Sequence, residues 1–149
     1  MIWRQREVSV AGRDLLVWQQ NTRIIRGGNV QRTNYYYLVR LPHGDEFFIQ
    51  TEPFGAAICQ LVLRTQLLEK LNQFDRGEVL TFGAIHLTPE AIFVKNKRID
   101  WEKSPQFKIS DGIFFLRGSL MFPSLKCSEI PNLDVLVGLL QDNDSLVNE

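Results

Sequence analysis

Four side chains in this sequence are candidates for acid–base or nucleophilic chemistry near neutral pH: His43, His86, Cys59 and Cys127. Histidine has an ordinary pKa near neutrality, and cysteine reacts or binds metals as its thiolate. His43 falls in a predicted turn and His86 in a predicted strand. Cys59 falls on the apolar side of a predicted helix, where a thiol behaves as a small hydrophobic group. The sequence therefore predicts no catalytic residue and no enzyme.

Spacings that would identify a metal or cofactor site are also missing. The sequence contains no Gly-x-Ser-x-Gly, no His-Glu-x-x-His and no phosphate-binding loop. The two cysteines form neither a disulfide framework nor a zinc-ligand pattern. We therefore predict no metal and no cofactor.

Arginine is concentrated near the start of the chain. The formal net charge is zero, but residues 1–40 hold seven arginines against Glu7 and Asp14, a local net charge of +5. Because guanidinium groups bind phosphates well, these residues could meet an anionic ligand or a partner surface. The alternative is a solvated strand face that is balanced by acidic residues elsewhere. The candidate residues for this surface are Arg4, Arg6, Arg23, Arg26, Arg32 and Arg40.

Composition limits the compartment and the partners. No apolar run reaches the roughly 18–20 residues that a membrane span needs, and the first residues carry no apolar signal segment. Two unpaired cysteines fit a reducing compartment, so a soluble, cytoplasmic chain is expected. No interleaved aromatic and basic motif of the kind that binds RNA is present, so nucleic acid is not a predicted partner.

The elements that position these residues follow the order strands, helix, strands, helix. The first strands are expected at 2–10, 14–20, 22–26, 33–41 and 46–50. A helix is predicted at about 52–76, with Thr51 as N-cap and Pro53 in its first turn. Gln66 is expected on its polar side. The expected buried face comprises Phe54, Ala57, Ile58, Leu61, Val62, Thr65, Leu68 and Leu71.

The second half reads as a meander of short strands. Residues 80–101 are predicted to form three strands, and further strands are expected at 107–110, 113–117 and 120–126. Asn132 is expected to cap a C-terminal helix at about 132–141, with a frayed tail at 142–149. The predicted fold class is α+β: a strongly curved antiparallel sheet or partly open barrel with one long central and one short C-terminal helix.

Several motifs of the second half resemble pleckstrin-homology-like (PH-like) domains, and most of all an uncharacterised family of tandem PH-like proteins. The matching segments, within about residues 33–141, are Gly77-Glu78-Val79, Phe82-Gly83, Ile99-Asp100-Trp101 and Ile130-Pro131-Asn132. The fold markers are therefore Phe82, Gly83, Trp101, Pro131 and Asn132. The sequence departs from the family pattern at Ala91, where glycine is usual, and at Met121-Phe122-Pro123, where an aromatic-rich strand is usual.

The resemblance implies two PH-like units and a binding role, and it brings no catalytic residues. The first, reduced unit would span residues 1–77 and the second 78–141. Residues 1–32 are short for a whole first barrel, so a neighbouring chain could complete it. The expected function is a non-enzymatic binding or scaffold domain that acts through protein–protein contact, including self-association as a homodimer. The alternative is a peripheral binder of anionic lipid or another phosphorylated ligand through the N-terminal arginines.

Overall fold

A computed structural model describes residues 12–118 and 123–147 of the chain. The predicted strand at 2–10, Arg4 and Arg6 lie outside these residues, as does the first part of the predicted strand at 120–126.

The first sheet is antiparallel and has the order β1-β2-β3. Its strands are β1 (Leu16–Arg26), β2 (Asn29–Arg40) and β3 (Glu46–Ile49). The strands predicted separately at 14–20 and 22–26 are one continuous strand, β1. The chain then turns into β2 at Gly27 and Gly28, which have φ of 60° and 80°. The long helix α1 (Glu52–Asp75) follows.

Two smaller antiparallel sheets follow α1. The second sheet contains β4 (Leu80–Phe82), β5 (Ile85–Leu87), β6 (Ala91–Val94) and β7 (Lys97–Asp100) in sequence order. The third has the order β10-β9-β8 and contains β8 (Gln106–Ser110), β9 (Ile113–Arg117) and β10 (Ser124–Lys126). Helix α2 (Leu133–Val147) ends the described chain.

The α+β class, the long central helix and the short C-terminal helix are confirmed. The described strands do not close into a barrel, and they form three sheets instead of one. The reason lies in the connections: α1 separates β3 from β4, and a 3₁₀ turn at Trp101–Lys103 separates β7 from β8. The expectation of three strands in 80–101 is wrong, since this stretch contains four, β4 to β7. The additional strand arises because Gly83 adopts φ of 61° and turns the chain between β4 and β5.

Helix α2 continues beyond the predicted end at 141 to Val147. Residues 141–147 contain no glycine or proline, so nothing in the local sequence stops the helix. One hydrophobic core contains residues from both halves of the chain, among them Val39, Ile85, Phe114 and Leu136, each fully buried. The division of the chain at residue 77 stays a prediction.

Helix α1 buries only part of the expected face. Cys59 and Val62 are buried as expected, whereas Phe54 is 65% exposed and Leu68 is 68% exposed. Gly55 and Gln66 are buried instead. Gly55 lies directly against the Tyr37 ring, which leaves no room for a side chain there. This close approach to β2 fixes the rotation of the helix, and the pattern of apolar residues does not reveal it.

Gln66 is buried because its side chain binds the backbone that leads into β1. Its Nε2 donates to the carbonyl oxygens of Gly12 and Leu15, each at 3.0 Å. Its Oε1 accepts a hydrogen bond from Asn132 Nδ2, also at 3.0 Å. Every polar atom of this amide therefore has a partner, which is what allows it to lie in a core.

Asn132 completes the same network from the start of α2. Its Oδ1 accepts from the Val17 amide at 2.8 Å, and its Nδ2 also donates to the Leu15 carbonyl at 3.0 Å. Its own amide donates to the Val17 carbonyl at 2.8 Å. We call the hydrogen bonds among Gln66, Asn132, Gly12, Leu15 and Val17 the amide clamp. It joins α1, the start of α2 and the start of β1.

The predicted caps act differently from expectation. The Asn132 side chain is engaged in the amide clamp, so only its backbone carbonyl accepts bonds from α2, from the amides of Val135 and Leu136. Thr51 occupies the N-cap position of α1 with extended backbone, but its side chain makes no capping bond.

Two further fold markers meet beside the amide clamp. Gly83 lies against the segment before α2, and a methyl group on it would be 3.0 Å from the Glu129 carbonyl oxygen and 3.1 Å from Pro131 Cδ. Phe82 and Pro131 are buried. Trp101 is partly buried, packs edge-to-face on Phe74 of α1 at 6.1 Å, and donates its indole N–H to the Thr88 carbonyl at 2.7 Å.

We predict that replacing Asn132 with alanine lowers the free energy of unfolding by about 3 kcal/mol, because the buried Val17 amide and Gln66 carbonyl oxygen lose their partners. Gln66→Leu should cost about 2 kcal/mol for the same reason. Urea denaturation measures both. Gln60→Leu changes an exposed glutamine of the same helix and should alter stability by less than about 0.5 kcal/mol. Equal effects of Gln66→Leu and Gln60→Leu would contradict the clamp.

Gly83→Ala should lower the free energy of unfolding by about 1–3 kcal/mol, because a side chain disfavours positive φ and would crowd the Glu129 carbonyl. Thermal unfolding measures the effect. Gly112→Ala is the matched control, since Gly112 has φ of 73° with open space around it. A loss no larger for Gly83→Ala than for Gly112→Ala would show that packing against Glu129 and Pro131 is unimportant.

Candidate functional site

The outer face of the first sheet carries a row of apolar side chains across all three strands. Trp18 of β1 lies opposite Leu38 of β2, which lies opposite Phe48 of β3. Trp18 and Leu38 are half-buried, and Phe48 is 71% exposed. The alternate residues Val17, Tyr37, Val39 and Ile49 are buried on the inner face. A strand presents successive side chains to opposite faces, so burying one set leaves the other outside.

Arg40 lies in the neighbouring row, between Leu16 and Glu46. Its Nη2 lies 2.6 Å from Glu46 Oε1 and its Nε 2.7 Å from the same oxygen. Its guanidinium carbon also lies 4.8 Å from the centre of the Trp18 ring, a cation–π contact. Both charged side chains remain partly exposed, at 44% and 39%. Arg40 is therefore held in place on the outer face with its charge balanced.

These side chains surround a recess of about 380 Å³ on the outer face. Ring and aliphatic surface alternates there with amide, hydroxyl and guanidinium groups. We call this site the aromatic recess. It is lined by Trp18, Gln19, Gln20, Tyr36, Leu38, Arg40, Phe48 and Ser128.

The amide clamp positions one wall of the aromatic recess. Ser128 lies in a 3₁₀ turn at Cys127–Glu129, four residues before Asn132. Because Asn132 is bonded to Val17 on both its side chain and its backbone, this turn is held beside β1. Trp18 follows Val17 directly and turns to the opposite face. The same bonds therefore fix both Ser128 and the strand that carries Trp18.

The predicted arginine surface is only partly described. Arg40 is at the aromatic recess, whereas Arg23, Arg26 and Arg32 lie in the distal half of the β1–β2 hairpin, near the Gly27-Gly28 turn. Along the hairpin, Arg23 and Arg26 are roughly 23–33 Å from the row that holds Arg40, at about 3.3 Å per residue. Arg40 and the distal arginines thus do not converge, and the anionic-ligand surface stays a prediction.

Both histidines make side-chain hydrogen bonds near the surface, and both cysteines are buried. His43 Nε2 lies 2.9 Å from Asp45 Oδ2 in the β2–β3 turn, and His86 Nδ1 lies 3.1 Å from the Thr81 hydroxyl. Burial raises the pKa of Cys59 to about 12, and nearby Asp134 adds to the effect. Burial also raises the pKa of Cys127. Both thiols are free and buried.

In the parts of the chain that the structure describes, no three His, Cys, Asp or Glu side chains are grouped as metal ligands. The predictions of no cofactor, no metal and no enzymatic activity remain predictions. None of the described helices is both long enough and apolar enough to cross a membrane.

Sequence reasoning missed most of the aromatic recess. It identified Arg40, but it did not place Trp18, Leu38 and Phe48 in one row, because strand register sets that row. One feature of the sequence does indicate an exposed apolar group. The apolar residues of β3 lie on both faces of the strand, with Phe47 and Ile49 on one face and Phe48 on the other. Such a strand at a sheet edge leaves at least one apolar group outside.

The fold and the recess define an α+β chain with an exposed aromatic row on the outer face of its first sheet. Residues 13–149 match the model of a family of unknown function (DUF6585), and the chain belongs to that family. This confirms the predicted membership of an uncharacterised family. No curated protein and no solved structure matches the chain.

We predict that neither native cysteine reacts with Ellman's reagent at pH 8. The raised pKa of about 12 keeps the Cys59 thiol protonated, since roughly one molecule in ten thousand would be thiolate at that pH. Unfolding in guanidinium should release two thiols per chain. Phe115→Cys adds a thiol at a 40% exposed position and should react at once in the folded state. A fast-reacting thiol in the native unsubstituted chain would contradict the burial of both cysteines.

Proposed function

We propose that this chain is a non-enzymatic binding domain that acts through protein–protein contact at the aromatic recess. The observation that supports this proposal is the set of side chains that line the recess. Among them, four converge on one face of the sheet: Trp18, Tyr36, Arg40 and Phe48. Tryptophan, tyrosine and arginine are enriched among the few residues that carry most of the binding energy of a protein interface, and phenylalanine is enriched in interfaces too. Arg40 is already fixed by Glu46 and Trp18, so a partner would not have to order it.

The proposal includes a relationship to tandem PH-like domains. Its support is the element order, in which strands lead to α1 and a longer meander of strands leads to α2. The contact of Gly83 with Pro131 adds to it, because two of the quoted family motifs then lie side by side. Under this proposal residues 1–77 are a reduced first unit, which leaves the β1-β2-β3 sheet open at an edge.

A second candidate is a binder of anionic lipid or another phosphorylated ligand. The observation in its favour is the backbone position of Arg23, Arg26 and Arg32, within four rows of the hairpin turn. Such a site would act by charge and would weaken with salt. Arg40 would contribute little to it, since its guanidinium is paired with Glu46.

Site-specific photo-crosslinking separates the two candidates. A benzoylphenylalanine in place of Phe48 should form covalent adducts with protein in cells that make this chain, because that ring lines the recess. The same group at Val79, which is 58% exposed and outside the recess, is the control and should give few adducts. Purified chain should not pellet with vesicles that contain anionic lipid.

Two results would reverse the choice. Equal adducts from positions 48 and 79 would remove the recess as a protein-binding site. Pelleting with anionic vesicles that fades with salt, and that is lost when Arg23 and Arg26 are both replaced by alanine, would establish the lipid alternative.

A further inference from the structure

In the part of the chain that the structure describes, strand β3 is one of the two edge strands of the first sheet, and β1 is the other. Within the described residues β3 pairs with β2 alone. Phe47 is 40% exposed and Phe48 is 71% exposed. Natural edge strands are usually protected by short length, charged side chains, proline or a bulge. β3 is short and contains Glu46, but the charge of Glu46 is balanced by Arg40, and the strand contains neither lysine nor proline. Its two exposed phenylalanines are therefore left at the edge.

Two residues of β3 direct their backbone N–H and C=O groups towards the open edge of the sheet, away from β2. The Leu41 amide donates to the Asp45 carbonyl at 2.8 Å, which makes Leu41 and Asp45 a hydrogen-bonded pair. Bonded and non-bonded pairs alternate along an antiparallel ladder, so Val39 and Phe47 are the next bonded pair. Glu46 and Phe48 therefore turn their N–H and C=O groups away from β2, towards the open edge.

We propose that β3 pairs antiparallel with β3 of a second copy of this chain, about a two-fold axis at Phe47. This inference rests on the proposed function and names the partner. Glu46 then lies opposite the partner's Phe48, and Phe48 opposite the partner's Glu46. The two outward residues of each copy complete four hydrogen bonds. The result is a six-stranded sheet with the order β1-β2-β3-β3-β2-β1.

The register follows from the pattern of outward groups. A shift of one residue would set outward groups of one copy against inward groups of the other. Pairing Phe48 with itself would require Gln50, which lies beyond the end of β3. Only the register centred on Phe47 uses all the outward groups of both copies within Glu46–Ile49. It also sets the two Phe47 rings opposite each other at a non-bonded pair, where side chains are closest.

The pairing would extend the aromatic recess. The row of Leu16, Arg40 and Glu46 would continue into the partner's Phe48 and then its Leu38 and Trp18. Each recess would thereby gain a wall made of the ion pair of the other copy. The apolar surface covered at Phe47 and Phe48 is only about 220 Å² per copy, taking roughly 200 Å² for each ring. Stable interfaces cover about 800 Å² per partner, so the dimer is weak and depends on concentration.

Sedimentation equilibrium tests the association. The mass should rise from 17.3 kDa towards twice that value, with a midpoint at roughly 10–100 µM. Phe47→Lys should raise the midpoint more than about tenfold, because two ammonium groups would face each other across the axis. Phe115→Lys removes an equally exposed ring, also at 40%, from another sheet and should leave the midpoint unchanged. A mass that stays at 17.3 kDa up to about 1 mM would overturn the proposal.

Disulfide trapping tests the register without relying on a destabilising charge. Phe47→Cys places two thiols opposite each other at a non-bonded pair, where Cα atoms are about 4.5 Å apart and a disulfide can form. Phe48→Cys places its thiol opposite the partner's Glu46. Mild oxidation should therefore give a linked dimer at position 47 at least about tenfold faster than at position 48. Random collision would favour position 48, which is the more exposed.

The two proposals fail in different ways. Faster trapping at position 48, or none at either position, would overturn the β3 pairing. Photo-adducts from position 48 with another protein would then still support the recess as a binding site. If the chain dimerises but Phe47→Lys and Phe115→Lys have equal effects, the pairing through β3 is wrong and a different surface joins the copies.

Discussion

Two buried amides, those of Gln66 and Asn132, hold together three segments that are far apart in the sequence. Their side chains bind the backbone of Gly12, Leu15 and Val17 and each other, over separations of 51 to 117 residues. A buried amide is costly unless its hydrogen bonds are complete. The network therefore tolerates one arrangement of β1, α1 and α2, and the packing of the first sheet depends on it.

The two faces of that sheet therefore differ: the inner face is buried in the core, and the outer face is exposed. The inner face packs on α1, with Gly55 against Tyr37 and with Val17 and Val39 buried. The outer face keeps Trp18, Leu38 and Phe48, and the segment that ends at Asn132 brings Ser128 beside them. Packing that stabilises the fold thus also leaves an aromatic surface outside, where Arg40 is already ordered. The proposed protein contact uses that surface.

The sequence predicted the α+β class, both helices and most strands, because turns, caps and periodicity are local signals. It failed where long-range packing decides. The burial of Gln66 and the exposure of Leu68 follow from the rotation of α1 against Tyr37, not from the helical pattern itself. Asn132 is a fold marker in the sequence, but its side chain forms the amide clamp and does not cap α2. Arg40 is a sequence candidate for the site, whereas the row of Trp18, Leu38 and Phe48 depends on strand register.

Native-state hydrogen exchange tests the central claim, that the amide clamp makes β1 and the start of α2 part of one cooperative unit. The Val17 amide binds Asn132 Oδ1, and the Asn132 amide binds the Val17 carbonyl. Both amides should exchange with the same free energy as the Leu116 amide, which lies in the core of the third sheet. The account would be contradicted if the free energy of opening at Val17 and Asn132 were lower than at Leu116 by more than about 2 kcal/mol. That difference corresponds to exchange that is roughly 30-fold faster.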